Sequence, residues 1–230
     1  MLPIDLARNI SDVTARIRAA ETAAGRAAGS VKLLAVSKTK PSSVIAQASE
    51  YGLLAFGENY AQEMAEKALQ LADLALDWHF IGPIQANKSK LIAEACDWVH
   101  SIDRLKVARK LNEQRDAARD PLQVLIQVNV SGETSKSGVQ PEEVAALADA
   151  IMALPRLTLR GLMAIPAPVS EGEDPRKPFA ALRHLRDDLI GKVGPLDTLS
   201  MGMSADLEAA ILEGSTLVRV GTDIFGARYT

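Results

Sequence analysis

A short apolar run followed by a helical stretch recurs eight times along the chain, and this repetition constrains the fold more than any other feature of the sequence. Each apolar run contains β-branched or aromatic residues and is followed by polar residues or glycine, which is typical of a buried β-strand. The runs occupy residues 31–37, 53–56, 78–81, 98–101, 122–130, 157–163, 198–201 and 217–220. Strands that alternate with helices predict a parallel sheet with right-handed crossovers. Eight such units in 230 residues match an α/β fold of the (β/α)8 barrel type in both number and size.

Helical patterns fill the segments between these runs. They cover residues 41–51, 60–72, 85–95, 105–118, 141–153, 178–190 and 205–213. Leu6, Ile10, Val13 and Ile17 recur at helical spacing before the first run, which predicts an extra N-terminal helix within residues 1–29 that packs on the barrel.

We interpret residues 1–230 as a single barrel domain. The stretch 166–178 is rich in proline and glycine, but we interpret it as a long loop after the sixth strand rather than as a linker. An open doubly wound sheet is the alternative architecture. It is disfavoured because no glycine-rich fingerprint follows the first strand.

Composition and charge argue against several classes of function. The net charge is -3 and no basic cluster is present, so the sequence carries no footprint of nucleic-acid binding. No apolar run is long enough to span a bilayer or to act as a secretion signal, so we expect a cytoplasmic protein. The single cysteine excludes a disulfide framework, and His79, His100 and His184 do not share a metal-ligand spacing.

Lys38 is the first candidate for chemistry. It follows the first strand, and ligands of parallel barrels bind at the carboxyl ends of the strands. An amine held against an apolar surface can act as a nucleophile toward a carbonyl group. Lys40, two residues further on, is the competing candidate, and a surface lysine without function is the simplest alternative.

Two loops near the end of the chain predict an anion site. Ser200, Gly202 and Ser204 follow the seventh strand just before a helical pattern, and Gly221 and Thr222 follow the eighth strand. Small hydroxyl residues and exposed backbone N–H groups suit an anion, and these two loops are where barrels commonly bind phosphate. A small phosphorylated aldehyde would reach from this site to the lysine, and pyridoxal phosphate fits that description.

Arg219 shares the inner face of the eighth strand with Gly221, because side chains two residues apart point the same way. A guanidinium inside a barrel is costly unless it is paired or bound to a ligand. The sequence leaves two alternatives, an ion pair with an acid such as Asp223 or Glu58, or a contact with a ligand at the mouth of the barrel.

Nine segments taken together carry a family resemblance. They are LAVSKTKP (34–41), FGENY (56–60), HFIG (79–82), QANK (85–88), QVNV (127–130), SKSG (135–138), GLM (161–163), SMGMS (200–204) and RVGT (219–222). In this order they resemble the pyridoxal phosphate homeostasis proteins. That family is similar to the N-terminal barrel of alanine racemases and of bacterial-type ornithine decarboxylases.

The resemblance implies a role for each matching residue. Lys38 would form a Schiff base with the aldehyde of pyridoxal 5'-phosphate, and Arg219 would lie opposite the pyridine nitrogen. Asn59 would line the cofactor pocket. The phosphate would be held by residues of the two late loops, namely Ser200, Ser204, Gly221 and Thr222.

One departure from the racemases bears on function. Racemases of this fold carry a second, β-rich domain and a tyrosine acid/base, whereas here the chain stops at Thr230 and Tyr229 is the only late tyrosine. We therefore expect a monomeric, non-catalytic carrier that keeps free pyridoxal phosphate scarce and delivers it to apo-enzymes. Lys136, in the loop after the fifth strand, either guards the mouth or is an ordinary solvated lysine.

Two alternative functions remain at the level of sequence. The first is a pyridoxal-phosphate-dependent amino-acid racemase of low activity. The second is an aldolase-type barrel that forms a Schiff base without a cofactor, which would require an acid or base near the lysine.

Overall fold

The computed structural model describes residues 5–132, 137–167 and 172–227 and contains eight parallel strands. The strands are β1 Lys32–Val36, β2 Ala55–Glu58, β3 Asp77–Phe80, β4 Trp98–Ile102, β5 Leu122–Gln127, β6 Leu157–Met163, β7 Thr198–Ser200 and β8 Leu217–Val220. Each strand pairs with the next one along the chain, and β8 pairs with β1, so the sheet closes into a barrel. The predicted (β/α)8 barrel is confirmed.

Helices follow the strands around the outside of the barrel. They are α1 Leu6–Ala23, α2 Ser42–Glu50, α3 Ala61–Gln70, α4 Ser89–Ala95, α5 Leu105–Gln114, α6 Val144–Met152, α7 Lys177–Val193, α8 Leu207–Leu212 and α9 Thr222–Phe225, with a 3-10 turn Pro141–Glu143 before α6. Within the described ranges, no helix combines the length and the hydropathy that a membrane crossing would need.

Some helix boundaries differ from the sequence prediction. α4 begins at Ser89 rather than at residue 85. α5 ends at Gln114 because Arg115 turns inward, where its guanidinium donates to the carbonyl oxygens of Ala93 and Cys96 at 2.7 and 2.8 Å. α9, directly after β8, was not predicted, and four residues are too few to show a helical pattern in sequence.

The N-terminal helix α1 packs against α8 and α9. Its apolar stripe, from Leu6 to Ile17, is buried. At its carboxyl end Glu21 is fully buried and accepts hydrogen bonds from the backbone N–H of Val31 at 2.7 Å and of Gly29 at 3.1 Å. Burial alone would raise the pKa of this carboxyl group, but the bonds from Arg18, Val31 and Gly29 outweigh it and lower the pKa. Glu21 therefore ties α1 to the start of β1 as an ionised group.

Candidate functional site

Lys38 lies in a tight turn at the carboxyl end of β1. The backbone N–H of Lys40 donates to the carbonyl oxygen of Ser37 at 3.0 Å and so closes the turn. Thr39 has a φ of 65°, in the left-handed region that residues other than glycine rarely adopt. Its N–H donates to Glu63 Oε1 at 2.6 Å, so a contact from α3 holds this conformation in place. Strained backbone that is fixed from outside is common at functional sites.

A buried ion pair supports the same turn from below. Lys67 Nζ donates to Glu58 Oε1 at 2.7 Å, to Glu63 Oε1 at 2.7 Å and to the carbonyl oxygen of Ser37 at 2.9 Å. The Ser37 hydroxyl also donates to Glu58 Oε1, at 2.6 Å. Burial raises the pKa of Glu58, although Lys67 and Ser37 oppose that effect. The residue before Lys38 is thus held on both its main chain and its side chain.

Arg219 lies in the floor of the barrel mouth and is buried. Its guanidinium donates to the carbonyl oxygen of Ser200 at 2.7 Å, to the Ser200 hydroxyl at 2.7 Å and to the carbonyl oxygen of Ala164 at 2.9 Å. Burial lowers its pKa to about 10, so it remains a cation at neutral pH. Among the residues that the structure describes, no carboxylate lies within ion-pair distance of it.

The ion-pair alternative for Arg219 was wrong. Glu58 pairs with Lys67, and Asp223 pairs with Arg16 of α1 at 2.7 Å. Arg219 is therefore a buried cation that faces the mouth of the barrel with no ion pair in the described part of the chain, and the charge of Asp206 offsets its burial only in part. Such a group is stabilised by an acceptor atom of a bound ligand.

A line of hydrogen bonds continues below Arg219 into the barrel. The Ser200 hydroxyl lies 2.9 Å from His100 Nδ1, and His100 Nε2 lies 2.8 Å from His79 Nδ1. Because a guanidinium can only donate, the Ser200 hydroxyl accepts from Arg219, and the direction of its bond with His100 is set by the tautomer of the imidazole. Burial lowers the pKa of His100 well below its usual value, with His79 and Arg219 adding to the effect. His100 is therefore neutral at neutral pH.

The loops after β7 and β8 bring two glycines into close contact with neighbouring elements. Gly202 has a φ of 94°, and a Cβ there would lie 2.6 Å from the Cβ of Ala210. Its carbonyl oxygen accepts from the N–H of Arg219 at 2.9 Å, which ties the loop after β7 to strand β8. At Gly221 a Cβ would lie 3.2 Å from the carbonyl oxygen of Val36, so a side chain would crowd the turn that carries Lys38.

A cleft of about 340 Å³ opens at this end of the barrel. Its volume is that of a site for a small organic molecule, which typically starts at about 300 Å³. The described residues that line it are Val36, Lys38, Lys40, Asn59, Ile81, Ile165, Met203, Ser204, Ala205, Arg219, Gly221, Thr222, Phe225 and Gly226. The lining includes apolar side chains, and its polar side chains come from the segments that follow β1, β2 and β8, from β8 itself and from the β7–α8 loop.

The structure brings six of the seven predicted site residues to this cleft, namely Lys38, Asn59, Ser204, Arg219, Gly221 and Thr222. Ser200 is placed differently, because its buried hydroxyl is bonded to Arg219 and His100 beneath the floor. The side-chain amide oxygen of Asn59, Oδ1, is buried and has no hydrogen-bond partner among the described residues. Lys136 and Tyr229 lie outside the described residues.

Several supporting residues were missed at the level of sequence. Glu63 and Lys67 are four residues apart on α3, a spacing that favours an ion pair, and this signal was available. No sequence pattern near Lys67 indicates that this lysine also bonds to Glu58 and Ser37. The contact of His79 with His100 depends on the register of β3 and β4, which sequence does not show.

Comparison with known proteins identifies the family. The sequence model of the alanine racemase N-terminal domain family matches residues 9–229. A pyridoxal phosphate homeostasis protein of Pseudomonas aeruginosa is 60% identical over 223 residues, which cover 97% of this chain and 96% of that protein. The chain belongs to the pyridoxal phosphate homeostasis protein family.

Other members of the pyridoxal phosphate homeostasis family extend the match. The Escherichia coli protein is 53% identical over 230 residues, with 97% of each chain covered. PipY of Synechococcus elongatus, a COG0325 family member whose structure was solved with pyridoxal phosphate bound, is 30% identical with a TM-score of 0.81. The match covers 96% of this chain and 100% of that one.

The fold extends beyond the homeostasis family. An alanine racemase of Corynebacterium glutamicum is 20% identical with a TM-score of 0.69. The match covers 98% of this chain and 62% of the racemase chain. At this level of identity the comparison shows the shared barrel alone.

Proposed function

We propose that this protein binds pyridoxal 5'-phosphate in the barrel mouth and acts in its homeostasis as a carrier rather than as an enzyme. The observation that carries the proposal is the convergence of Lys38 and the two late loops on one cleft above a buried cation, Arg219. PipY, which shares the fold and 30% of its sequence, holds pyridoxal phosphate in its structure.

The residues present fit each part of this cofactor. The hydroxyls of Ser204 and Thr222 line the side of the cleft formed by the late loops and suit the phosphate. The N–H groups of Thr222 and Asp223 lie in the first turn of α9, so they have no acceptor within that helix. Gly221 allows close approach of the backbone. Asn59 lines the same cleft, and its Oδ1 has no hydrogen-bond partner among the described residues.

Lys38 is the proposed point of covalent attachment. The lysine amine adds to the aldehyde carbon, one water leaves, and a carbon–nitrogen double bond results. The strained turn and the buried ion pair described above hold the main chain on both sides of Lys38 at the edge of the cleft. Lys40 lines the same cleft and is the competing site of attachment.

Arg219 is proposed to face the ring nitrogen. When bound, pyridoxal phosphate supplies an electrophilic aldehyde and a ring that withdraws electrons. A cationic guanidinium donates a hydrogen bond but does not give up its proton near neutral pH, so it leaves the ring nitrogen unprotonated. Ser200 and His100 hold Arg219 in this orientation, which is a revised role for Ser200. This arrangement favours holding the aldehyde over activating a substrate carbon.

The residues around the cleft also support a non-catalytic role. Of the described lining residues, none is a tyrosine, histidine, cysteine or carboxylic acid, so lysine is the available proton-transfer group. Racemisation by two bases requires a second such group on the opposite face of the substrate. We therefore propose delivery of the cofactor to apo-enzymes. Action as a monomer and a cytoplasmic location remain predictions.

A transfer experiment tests the carrier function. Purified protein mixed with pyridoxal phosphate should show visible absorption and should gain one covalent label after borohydride reduction. When the loaded protein is mixed with an apo form of a pyridoxal-phosphate enzyme, that enzyme should recover activity even in the presence of a phosphatase that destroys free cofactor. A colourless protein that borohydride cannot label would contradict the proposal.

Proton exchange tests the racemase alternative. The loaded protein is incubated with single L-amino acids in deuterated water, and the α-proton is followed by NMR. We expect no exchange beyond one turnover per protein, because the only lysines among the described lining residues, Lys38 and Lys40, come from the same turn and do not face each other across the cleft as two bases would. Sustained exchange that depends on Lys38 would establish an enzyme instead.

A further inference from the structure

Arg16 of α1 makes four hydrogen bonds that reach the back of the cleft. Its Nε and Nη2 atoms donate to the two carboxylate oxygens of Glu208 at 2.7 and 3.0 Å. Its Nη1 donates to Asp223 at 2.7 Å, and Nη2 also donates to the carbonyl oxygen of Ser204 at 2.8 Å. The side chain is 35% exposed, so the pairs are partly shielded from water.

These contacts join the two loops that form the anion side of the cleft. Ser204 belongs to the loop after β7, and Glu208 lies in the first turn of α8, which ends that loop. Asp223 follows Thr222 in the first turn of α9, after β8. A single guanidinium therefore fixes the separation of Ser204 and Thr222 from behind. Its planar fork of donors is pre-organised for such an arrangement, which a lysine could not reproduce.

Charge gives Arg16 a second effect. The hydrogen bond from Arg16 is the main cause that lowers the pKa of Glu208, so this carboxylate is ionised at neutral pH. Glu208 and Asp223 would both repel a phosphate dianion held by the adjoining residues. Arg16 offsets much of this negative charge while remaining outside the residues that line the cleft.

We propose that Arg16 is a positioning residue for anion recognition, which makes the preference for a phosphorylated aldehyde depend on helix α1. The proposal rests on the proposed function and adds a residue to it. Arg16 contacts no part of the cofactor. It holds Ser204 and Thr222 at the spacing that a phosphate group needs and neutralises the carboxylates beside them.

The test compares ligands with and without the phosphate. Binding of pyridoxal phosphate and of pyridoxal is titrated by absorbance for the wild type and for Arg16→Met. We expect affinity for pyridoxal phosphate to fall about tenfold, corresponding to about 1.4 kcal/mol, and affinity for pyridoxal to change less than about twofold. Inorganic phosphate alone should raise the Tm of the wild type but not that of the variant.

Arg26→Met is the matched control. Arg26 also docks onto α8, but at its far end, where it donates to the carbonyl oxygens of Ile211 at 3.3 Å and Ser215 at 2.6 Å. Arg26→Met should lower the stability of the protein without changing the ratio of its affinities for pyridoxal phosphate and pyridoxal. Arg16→Lys keeps the charge but loses the fork, and it provides a second variant if Arg16→Met folds poorly. We expect Arg16→Lys to lose affinity for pyridoxal phosphate selectively as well, but by a smaller factor than Arg16→Met.

Three outcomes would overturn the role of Arg16. They are equal losses of pyridoxal phosphate and pyridoxal binding, no loss of either, or a shift in the affinity ratio for Arg26→Met as large as for Arg16→Met. A wild type that attaches neither aldehyde would instead refute the proposed function, so the two failures are distinguishable.

Discussion

Replacement of Lys38 by alanine is expected to abolish covalent retention of pyridoxal phosphate. The aldehyde needs an amine at the edge of the cleft, and the turn that carries Lys38 is fixed by Glu63, Lys67 and the buried Ser37. Without that amine the phosphate side of the cleft can still bind the cofactor, but reversibly. After borohydride reduction and gel filtration, mass spectrometry should show the label on the wild type and none on Lys38→Ala.

Lys40→Ala is the control for this experiment. Lys40 lies two residues from Lys38 and lines the same cleft, so it offers an amine in a similar environment. We expect Lys40→Ala to keep the label. If Lys38→Ala retained it while Lys40→Ala lost it, the assignment of the two lysines would be reversed. Circular dichroism on both variants establishes that neither result comes from unfolding.

Replacement of Lys67 by methionine is expected to cause the largest loss of stability. Methionine fills similar space, but it leaves Glu58 buried with no cation, and it removes the donors to Glu63 and to the Ser37 carbonyl. Removing one partner of a buried ion pair typically costs about 3–5 kcal/mol. Urea denaturation should show this decrease in the free energy of unfolding at pH 7.

The double variant Glu58→Gln/Lys67→Met separates the charge from the packing. Because glutamine is neutral, it removes the uncompensated buried carboxylate, and we expect it to recover more than half of the lost stability. If the double variant were as unstable as Lys67→Met, packing around the lysine stem rather than the charge of Glu58 would explain the loss.

The pH dependence of Lys67→Met follows from the same carboxyl group. Burial raises the pKa of Glu58 in the folded wild type, and the loss of Lys67 removes a cation that opposed this rise. A carboxyl group whose pKa is higher in the folded state favours folding at low pH and loses that advantage as pH rises through the folded pKa. The deficit of the variant should therefore narrow as the pH falls from 7 to about 5, which repeated urea titrations would show.

The fold was predictable because its signals are local. A short buried strand and an amphipathic helix each leave a hydrophobic pattern within their own residues, and eight alternations leave few topologies open. The order of the strands then placed residues 36–40, 200–204 and 219–222 at one end of the barrel. This is why Lys38 and the two late loops could be assigned to one end of the barrel from sequence, and residues of all three segments line the cleft.

Helix boundaries and supporting contacts were not predictable in the same way. Arg115 ends α5 through bonds to carbonyl groups about twenty residues away in sequence, and Arg16 reaches across nearly the whole chain to Asp223. Such contacts depend on which elements become neighbours and on rotamers chosen in the packed state. No pattern within a window of the sequence encodes them.

Sequence by itself thus determined the barrel, the end at which chemistry is possible and the residue types gathered there, because strand order and side-chain alternation follow from local periodicity. Only the tertiary structure decided how those groups are paired. It assigned Glu58 to Lys67 and Asp223 to Arg16, turned Ser200 beneath the floor toward His100, and left Arg219 facing the cleft with no acid beside it in the described chain. The reason is physical: a buried charge takes whichever partner the packed elements bring within about 4 Å, and that distance exists only once the barrel has closed.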